Sequence, residues 1–256
     1  LDPLTSYHKG KRAGEQTHYG DQMQVLMESI ATVPGFDLED FSMRWQTLFE
    51  SYTGYLDGAT KDTLHNLSAG KDINACGSAS DDLAGASRIA PLFSVYPDNL
   101  ENLVAAARRQ TAFTHNNTDV TAVAEFLART TAAVLAGANP LEAVDSVVDG
   151  HFKGNVIEML VMDGLDSQEM DTRQVIADFG QACSVEAALP GVIHLIARYS
   201  DNLQEALVEN IMAGGDSAAR GMPVAMILGA HLGMGAIPGP WLEGLASRER
   251  VEQLLP

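Results

Sequence analysis

From residue 21 to residue 254, apolar side chains recur every three or four positions, and the alternating, β-branched pattern of a strand is nearly absent. A helix turns once in about 3.6 residues, so this spacing gives each segment one apolar face to bury, whereas a half-buried strand needs alternation. The pattern predicts an all-α fold. Helices are expected at roughly 21–33, 37–53, 60–69, 81–95, 98–114, 118–137, 140–149, 155–163, 167–178, 185–199, 202–213, 217–234 and 239–254.

The punctuation between these segments agrees. "PGFDLEDF" places Asp37 as an N-cap with Asp40 in the first turn, and "YPDNLENL" and "YSDNLQEAL" repeat the signal with Asp98 and Asp201. "LAGANPLEA" and "GAIPGPWLEGL" stop one helix on glycine and start the next near proline. No Pro/Ser linker or shift in composition divides the chain, so residues 1–256 read as one domain, and 46% hydrophobic content is enough to fill its core. The first twenty residues are polar and unpatterned and read as a surface loop. Its Lys9, Lys11 and Arg12 form the densest basic cluster, equally suited to solvent or to an anionic ligand.

Thirty-four acidic against sixteen basic residues give a formal charge of −18, which argues against a nucleic-acid footprint. An anionic ligand would then be held by backbone N–H groups, a few arginines or a metal ion. No apolar run reaches the roughly 18 residues of a membrane span. Cys76 and Cys183, without CxxC spacing, point to a reducing, cytoplasmic compartment.

Several stretches have the composition of a site. In "AGGDSAARG", Gly214 and Gly215 can take positive φ and Asp216 is a natural N-cap for the next helix, which aims a carboxylate and free N–H groups into one space. An ordinary turn between two helices has the same composition. Arg220, one turn on, is close enough to pair with Asp216 or hold an anion. Pro223 leaves the carbonyl of Ala219 without its usual donor, and the small residues from Ala218 to Gly233 permit tight helix packing. In "THYGDQMQ", Asp21 starts a second helix; if it met Asp216, the two carboxylates would suit Mg²⁺ or Mn²⁺. "CGSASDDLAGAS" brings Ser80, Asp81 and Asp82 to a helix start that can cradle a phosphate or ribose. "THNN" puts His115 and Asn116 at a helix end. No HExxH or GxSxG spacing occurs, which argues against zinc and serine-hydrolase chemistry.

In this order, "YGDQMQVLMESI", "GASRIAPL", "THNN" and the long stretch "EALVENIMAGGDSAARGMPVAMILGAHLGMGAIPGPWLEGL" resemble the ADP-ribosylglycohydrolase family over nearly the whole chain. The resemblance implies an all-α orthogonal bundle with a central cleft that hydrolyses the glycosidic bond of an ADP-ribosyl or related group. It implies catalytic and metal-binding roles for Asp21 and Asp216. It places Ser80, Asp81, Asp82, Gly85, His115, Asn116, Ser217 and Arg220 around a substrate that is either a small molecule or linked to a protein. The N-terminal segment of the family is expected to be absent. The family's GGDTDT motif reads here Gly214-Gly215-Asp216-Ser217-Ala218-Ala219, so two ligand positions are alanine, and its TDDT motif keeps Asp21 beside Gly20 and Gln22. The resemblance therefore implies one Mg²⁺ or Mn²⁺ ion or none. It is similar to the divergent branch containing J-crystallin and selenoprotein J, and leaves three readings open: a hydrolase, a protein that binds such a ligand without cleaving it, and a structural, crystallin-like protein.

Overall fold

Among the described residues, nine helices start on a short polar side chain that accepts a hydrogen bond from the backbone of its own first turn. These caps are Asp37, Asp57, Asn99, Asn117, Asn139, Asn155, Asp171, Asn202 and Asp216. Each satisfies backbone donors that the helix cannot satisfy itself, a contribution of about 1 kcal/mol. The computed structural model describes residues 6–255. They form α1 (His18–Ile30), α2 (Leu38–Glu50), α3 (Gly58–Ser68), α4 (Ala84–Ser87), α5 (Leu100–Thr114), α6 (Thr118–Leu135), α7 (Pro140–Val147), α8 (Val156–Asp166), α9 (Thr172–Phe179), α10 (Val185–Arg198), α11 (Leu203–Met212), α12 (Ser217–Leu232), α13 (Gly239–Gly244) and α14 (Arg248–Leu254). The fold is all-α, with two isolated β-bridges and no strand among the described residues.

One hydrophobic cluster runs from Val25 in α1 to Leu228 in α12. Its aromatic centre is the fully buried Trp45, edge-on to Phe113 with ring centroids 5.2 Å apart. The helix α12 packs against α4, α6, α10 and α11, and α10 in turn against α8 and α9.

Several boundaries differ from those the sequence suggested. The caps of α5 and α11 are Asn99 and Asn202, not Asp98 and Asp201; a carboxamide can accept and donate, and Asn202 also donates to the Glu205 carboxylate at 2.9 Å. The helix α1 begins at His18, which puts Asp21 inside its first turn instead of at its start. The expected helix 81–95 is a short extended segment, then α4, then a 3-10 turn at Ala90–Ser94, because residues 81–83 pair with 183–185 and Pro91 disfavours helix at the residue before it. The expected helix 239–254 breaks at Leu245, where Ala246 N–H donates to Gly14 carbonyl at 2.9 Å. Of the glycines along α12, Gly221 lies against a neighbour, whereas Gly229 faces open space, so close packing is confined to the first half of the helix.

The carbonyl that Pro223 orphans has a partner. Ser87 Oγ, in α4, donates to Ala219 carbonyl at 2.9 Å and ties the first turn of α12 to that helix.

Candidate functional site

Gly214 and Gly215 have φ values of 75° and 65°, and a Cβ on Gly215 would lie 2.2 Å from the Gln181 carbonyl oxygen. Any other residue at 215 would combine a strained backbone with a clash. The turn lets Asp216 N–H donate to that carbonyl at 3.0 Å, and the Asp216 side chain then caps α12 by accepting from Ala219 N–H at 2.9 Å. Its other oxygen accepts from the Tyr19 hydroxyl at 2.9 Å.

A second segment arrives from the opposite side. Leu83 N–H donates to Cys183 carbonyl and Val185 N–H to Asp81 carbonyl, both at 2.8 Å, a short antiparallel pairing just before α4 and α10. It carries Asp82 and Cys183 to Asp216: one oxygen from each carboxylate and the thiol sulfur all lie within 4.8 Å of one another. Beside them, Asp57 caps α3, and its Oδ2 lies 3.2 Å from His18 Nε2, close enough for an ion pair though out of line for a hydrogen bond. The His18 ring stacks on Tyr19 at 3.9 Å between centroids. Thus α1, α3, α10 and α12 all begin at this cluster, and their N-termini, each with a partial positive charge, offset the repulsion of the carboxylates.

The environment separates the groups chemically. Burial, together with the charges of Asp216 and Asp57, raises Asp82 to about 6, so its carboxyl exchanges a proton near neutrality. Burial also raises Asp57, but the His18 contact and the hydrogen bonds from Thr60 outweigh it and hold that carboxylate ionised. Burial, with the neighbouring Asp82 and Asp216, pushes the Cys183 thiol up to about 12 and keeps it neutral. Tyr19 is likewise raised, chiefly by burial and by Asp82 and Asp216, and stays a hydrogen-bond donor.

The residues singled out in the sequence are divided among three places. Asp82 and Asp216 meet, and Ser217 follows Asp216 in the first turn. Asp21 sits with Tyr52, whose hydroxyl donates to it at 2.6 Å, and with Lys11 at 3.2 Å. Lys11 and Arg12, from the basic loop cluster, are thereby paired with Asp21 and Glu15. Ser80 accepts from Asp82 N–H at 3.3 Å; Asp81 and Asn116 are exposed. His115 is buried beneath Gly85, next to Arg88, which bonds Gln22 and, at 2.6 Å, Thr114. Burial and Arg88 lower His115 to about 3. Arg220 is fully buried and bonds Asn210 and Gly214; it pairs with no carboxylate among the described residues.

Gly85 leaves room for that histidine. A Cβ there would stand 2.5 Å from His115 Cγ. Gly85→Ala is expected to destabilise the protein by about 1–3 kcal/mol through overpacking, read as a lower urea midpoint; an unchanged midpoint would show that the ring can move aside.

Tyr19, Asp57 and Cys183 were not legible as site residues. The signal for Asp57 was its position as a cap before "GATKDTL"; for Cys183 it was its place just before a helix start. Nothing in the local sequence marks Tyr19.

Hard divalent ions ask for about six oxygen donors each. Here Ala218 and Ala219 offer no side-chain ligand, the Tyr19 hydroxyl sits on Asp216, Asp21 is bound to Lys11 and Tyr52, and the third donor in reach is a neutral thiol. These residues do not suit a pair of hard ions; the three donors within reach of one another suit at most one.

The structure is an all-helical domain that gathers two carboxylates, Asp82 and Asp216, at helix N-termini. The chain belongs to the ADP-ribosylglycohydrolase family, whose model matches residues 1–255. It is similar to an uncharacterized protein of Archaeoglobus fulgidus, 28% identical over 259 residues that cover 99% of this chain and 83% of that protein. It is also similar to a solved structure described as an ADP-ribosylglycohydrolase-related protein complex, with a TM-score of 0.71 and 26% identity over 94% of this chain and 80% of that one. No described helix is long and apolar enough to cross a membrane.

Proposed function

We propose that the protein hydrolyses the glycosidic bond of an ADP-ribosyl or related nucleoside-diphosphate-ribose substrate, either free or linked to a protein, with Asp82 and Asp216 at the reacting centre. The observation that carries this is the meeting of the two carboxylates, with Asp82 raised to about 6 and Asp216 aimed by the Gly-Gly turn. A carboxyl group able to give up a proton near neutrality, beside a second carboxyl group, is what cleavage of such a bond needs. Protonated Asp82 gives its proton to the departing group as the bond at the ribose anomeric carbon breaks. Asp216 faces the positive charge that develops on the ribose and stabilises it. Water then forms the new bond to that carbon and returns a proton to Asp82, so the pair is restored and no other reactant is required. Tyr19 holds Asp216 in place. Ser80, Asp81 and Asn116, on loops, and Ser217, in the first turn of α12, are assigned to the ligand.

The assay offers ADP-ribosyl-arginine, ADP-ribosyl-serine and O-acetyl-ADP-ribose, with and without Mg²⁺ or Mn²⁺. Turnover of at least one is expected. Saturable ADP-ribose binding with no turnover of any would sink the hydrolase reading and leave a binding protein; neither binding nor turnover would leave the structural one.

A further inference from the structure

Arg220 is a buried cation with no carboxylate in contact among the described residues, an arrangement that needs a reason. Its Nε donates to Asn210 Oδ1 at 3.1 Å and its Nη2 to Gly214 carbonyl at 2.5 Å, while Nη1 has no partner. Asn210, itself buried, donates from Nδ2 to Ser217 carbonyl at 2.7 Å. The two side chains therefore hold the backbone on both sides of Asp216, at Gly214 before it and Ser217 after it. Two glycines make room for them: a Cβ on Gly191 in α10 would lie 3.2 Å from Arg220 Cδ, and one on Gly221 3.0 Å from Asn210 Nδ2. Gly214 and Gly215 are the least restrained residue type, so a turn made of them points its carboxylate in one direction only if something outside it fixes the backbone.

We propose that Arg220 and Asn210 are positioning residues: a buried couple reaching from α11 and α12 that locks the Gly-Gly turn and thereby the direction of Asp216. Arg220 also places a positive charge behind the carboxylate without touching it. A lysine keeps the charge but cannot span both acceptors with a planar fork, so Arg220→Lys is the sharp test of geometry.

The experiment reads amide hydrogen exchange residue by residue in the full chain, in Arg220→Lys and, as a milder second variant, Asn210→Ser. The expected result is exchange at least tenfold faster at the Asp216 and Ser217 amides in both, with the amides of α5 and α6 unchanged. Unchanged exchange at Asp216 and Ser217 would overturn the proposal. So would uniformly faster exchange across the protein in both variants, which would make the couple a general core element. A turnover arm rests on the hydrolase reading: kcat falls at least tenfold while KM stays within twofold, as misdirection of Asp216 requires. If the wild type has no activity, that reading fails by itself and the exchange arm still decides this proposal.

Discussion

Asp216→Asn is expected to lower kcat for ADP-ribosyl hydrolysis by about a thousandfold while leaving the stability of the protein within about 1 kcal/mol of wild type. The two halves of this result come from different atoms of one side chain. The capping oxygen accepts from Ala219 N–H, and asparagine caps as well as aspartate does. The other oxygen accepts from the Tyr19 hydroxyl, and there the amide group of asparagine can donate to the phenol instead. The shape survives, and the negative charge beside Asp82 is lost. Asp82→Asn should likewise keep its local bond from Ala84 N–H at 2.8 Å, and should lower kcat about a hundredfold or more by removing the exchangeable proton. Asp21→Asn, which changes a group engaged by Lys11 and Tyr52, should cost less than either. Initial rates and urea unfolding on the same preparations check both halves. Activity in Asp216→Asn within tenfold of wild type would move the chemistry elsewhere.

The stability of the protein is expected to fall as the pH is lowered from 6.5 towards 4, and to fall about twice as steeply in Asp82→Asn. Two buried histidines drive the fall. His115, lowered to about 3 by burial and Arg88, and His194, lowered to about 4 by burial and Arg198, stay largely neutral in the folded state until the pH nears 4, while in the unfolded chain they take up protons below their ordinary value of 6.5. His194 has a local reason to stay neutral, since Ser167 and Thr172 hydroxyls bond both its ring nitrogens at 2.9 Å. Asp82 acts in the opposite direction. Its folded value of about 6 lies above its ordinary 3.8, so the folded state holds a proton that the unfolded state releases, and this contribution is present at low pH and lost as the pH rises through 6. Near pH 5, two protons gained on unfolding less one released leave about one, a slope of about 1.4 kcal/mol per pH unit. Removing Asp82 leaves two, or about 2.7 kcal/mol per unit. The depressed Glu15, Glu101 and Glu209, and then Asp40 and Asp57, add to the fall at the acid end of the window as their ordinary values of 4.5 and 3.8 are approached, and His8, also lowered, adds slightly to the histidine side. Urea unfolding at pH 4.5, 5.0, 5.5 and 6.5 measures the slopes. A flat profile in the wild type, or a shallower one in Asp82→Asn, would contradict the assigned environments.

The helical architecture was legible in the sequence because it rests on local causes: apolar spacing at helical period and caps of one or two residues. Where two such causes competed within a step of each other, as in Asp98-Asn99 and Asp201-Asn202, local sequence did not decide between them. The break at residues 81–83 was hidden because its cause lies a hundred residues away, in the pairing with 183–185. The site divides in the same way. Asp216 was legible because its turn and cap are encoded within "AGGDSAA". Asp82 was visible as one of a pair of acids, but its raised carboxyl was not, since that depends on Asp216 and Asp57 meeting it in space. The role of Arg220 was misjudged by proximity in sequence: four residues from Asp216, it reaches past the carboxylate to the carbonyl of Gly214.

The hydrogen bond from Tyr19 to Asp216 joins residues 197 positions apart. As the chain leaves the ribosome, Tyr19, Asp57 and Asp82 are therefore made long before the Gly-Gly turn and the N-termini of α10 and α12 that make their proximity tolerable. The repulsion among the carboxylates opposes closure of the centre, whereas packing around Trp45, with Phe113 edge-on to it, favours the fold. Closure of the acidic centre has to wait for the synthesis of residue 216, and any chain ending before it holds an incomplete centre however well its first helices have packed.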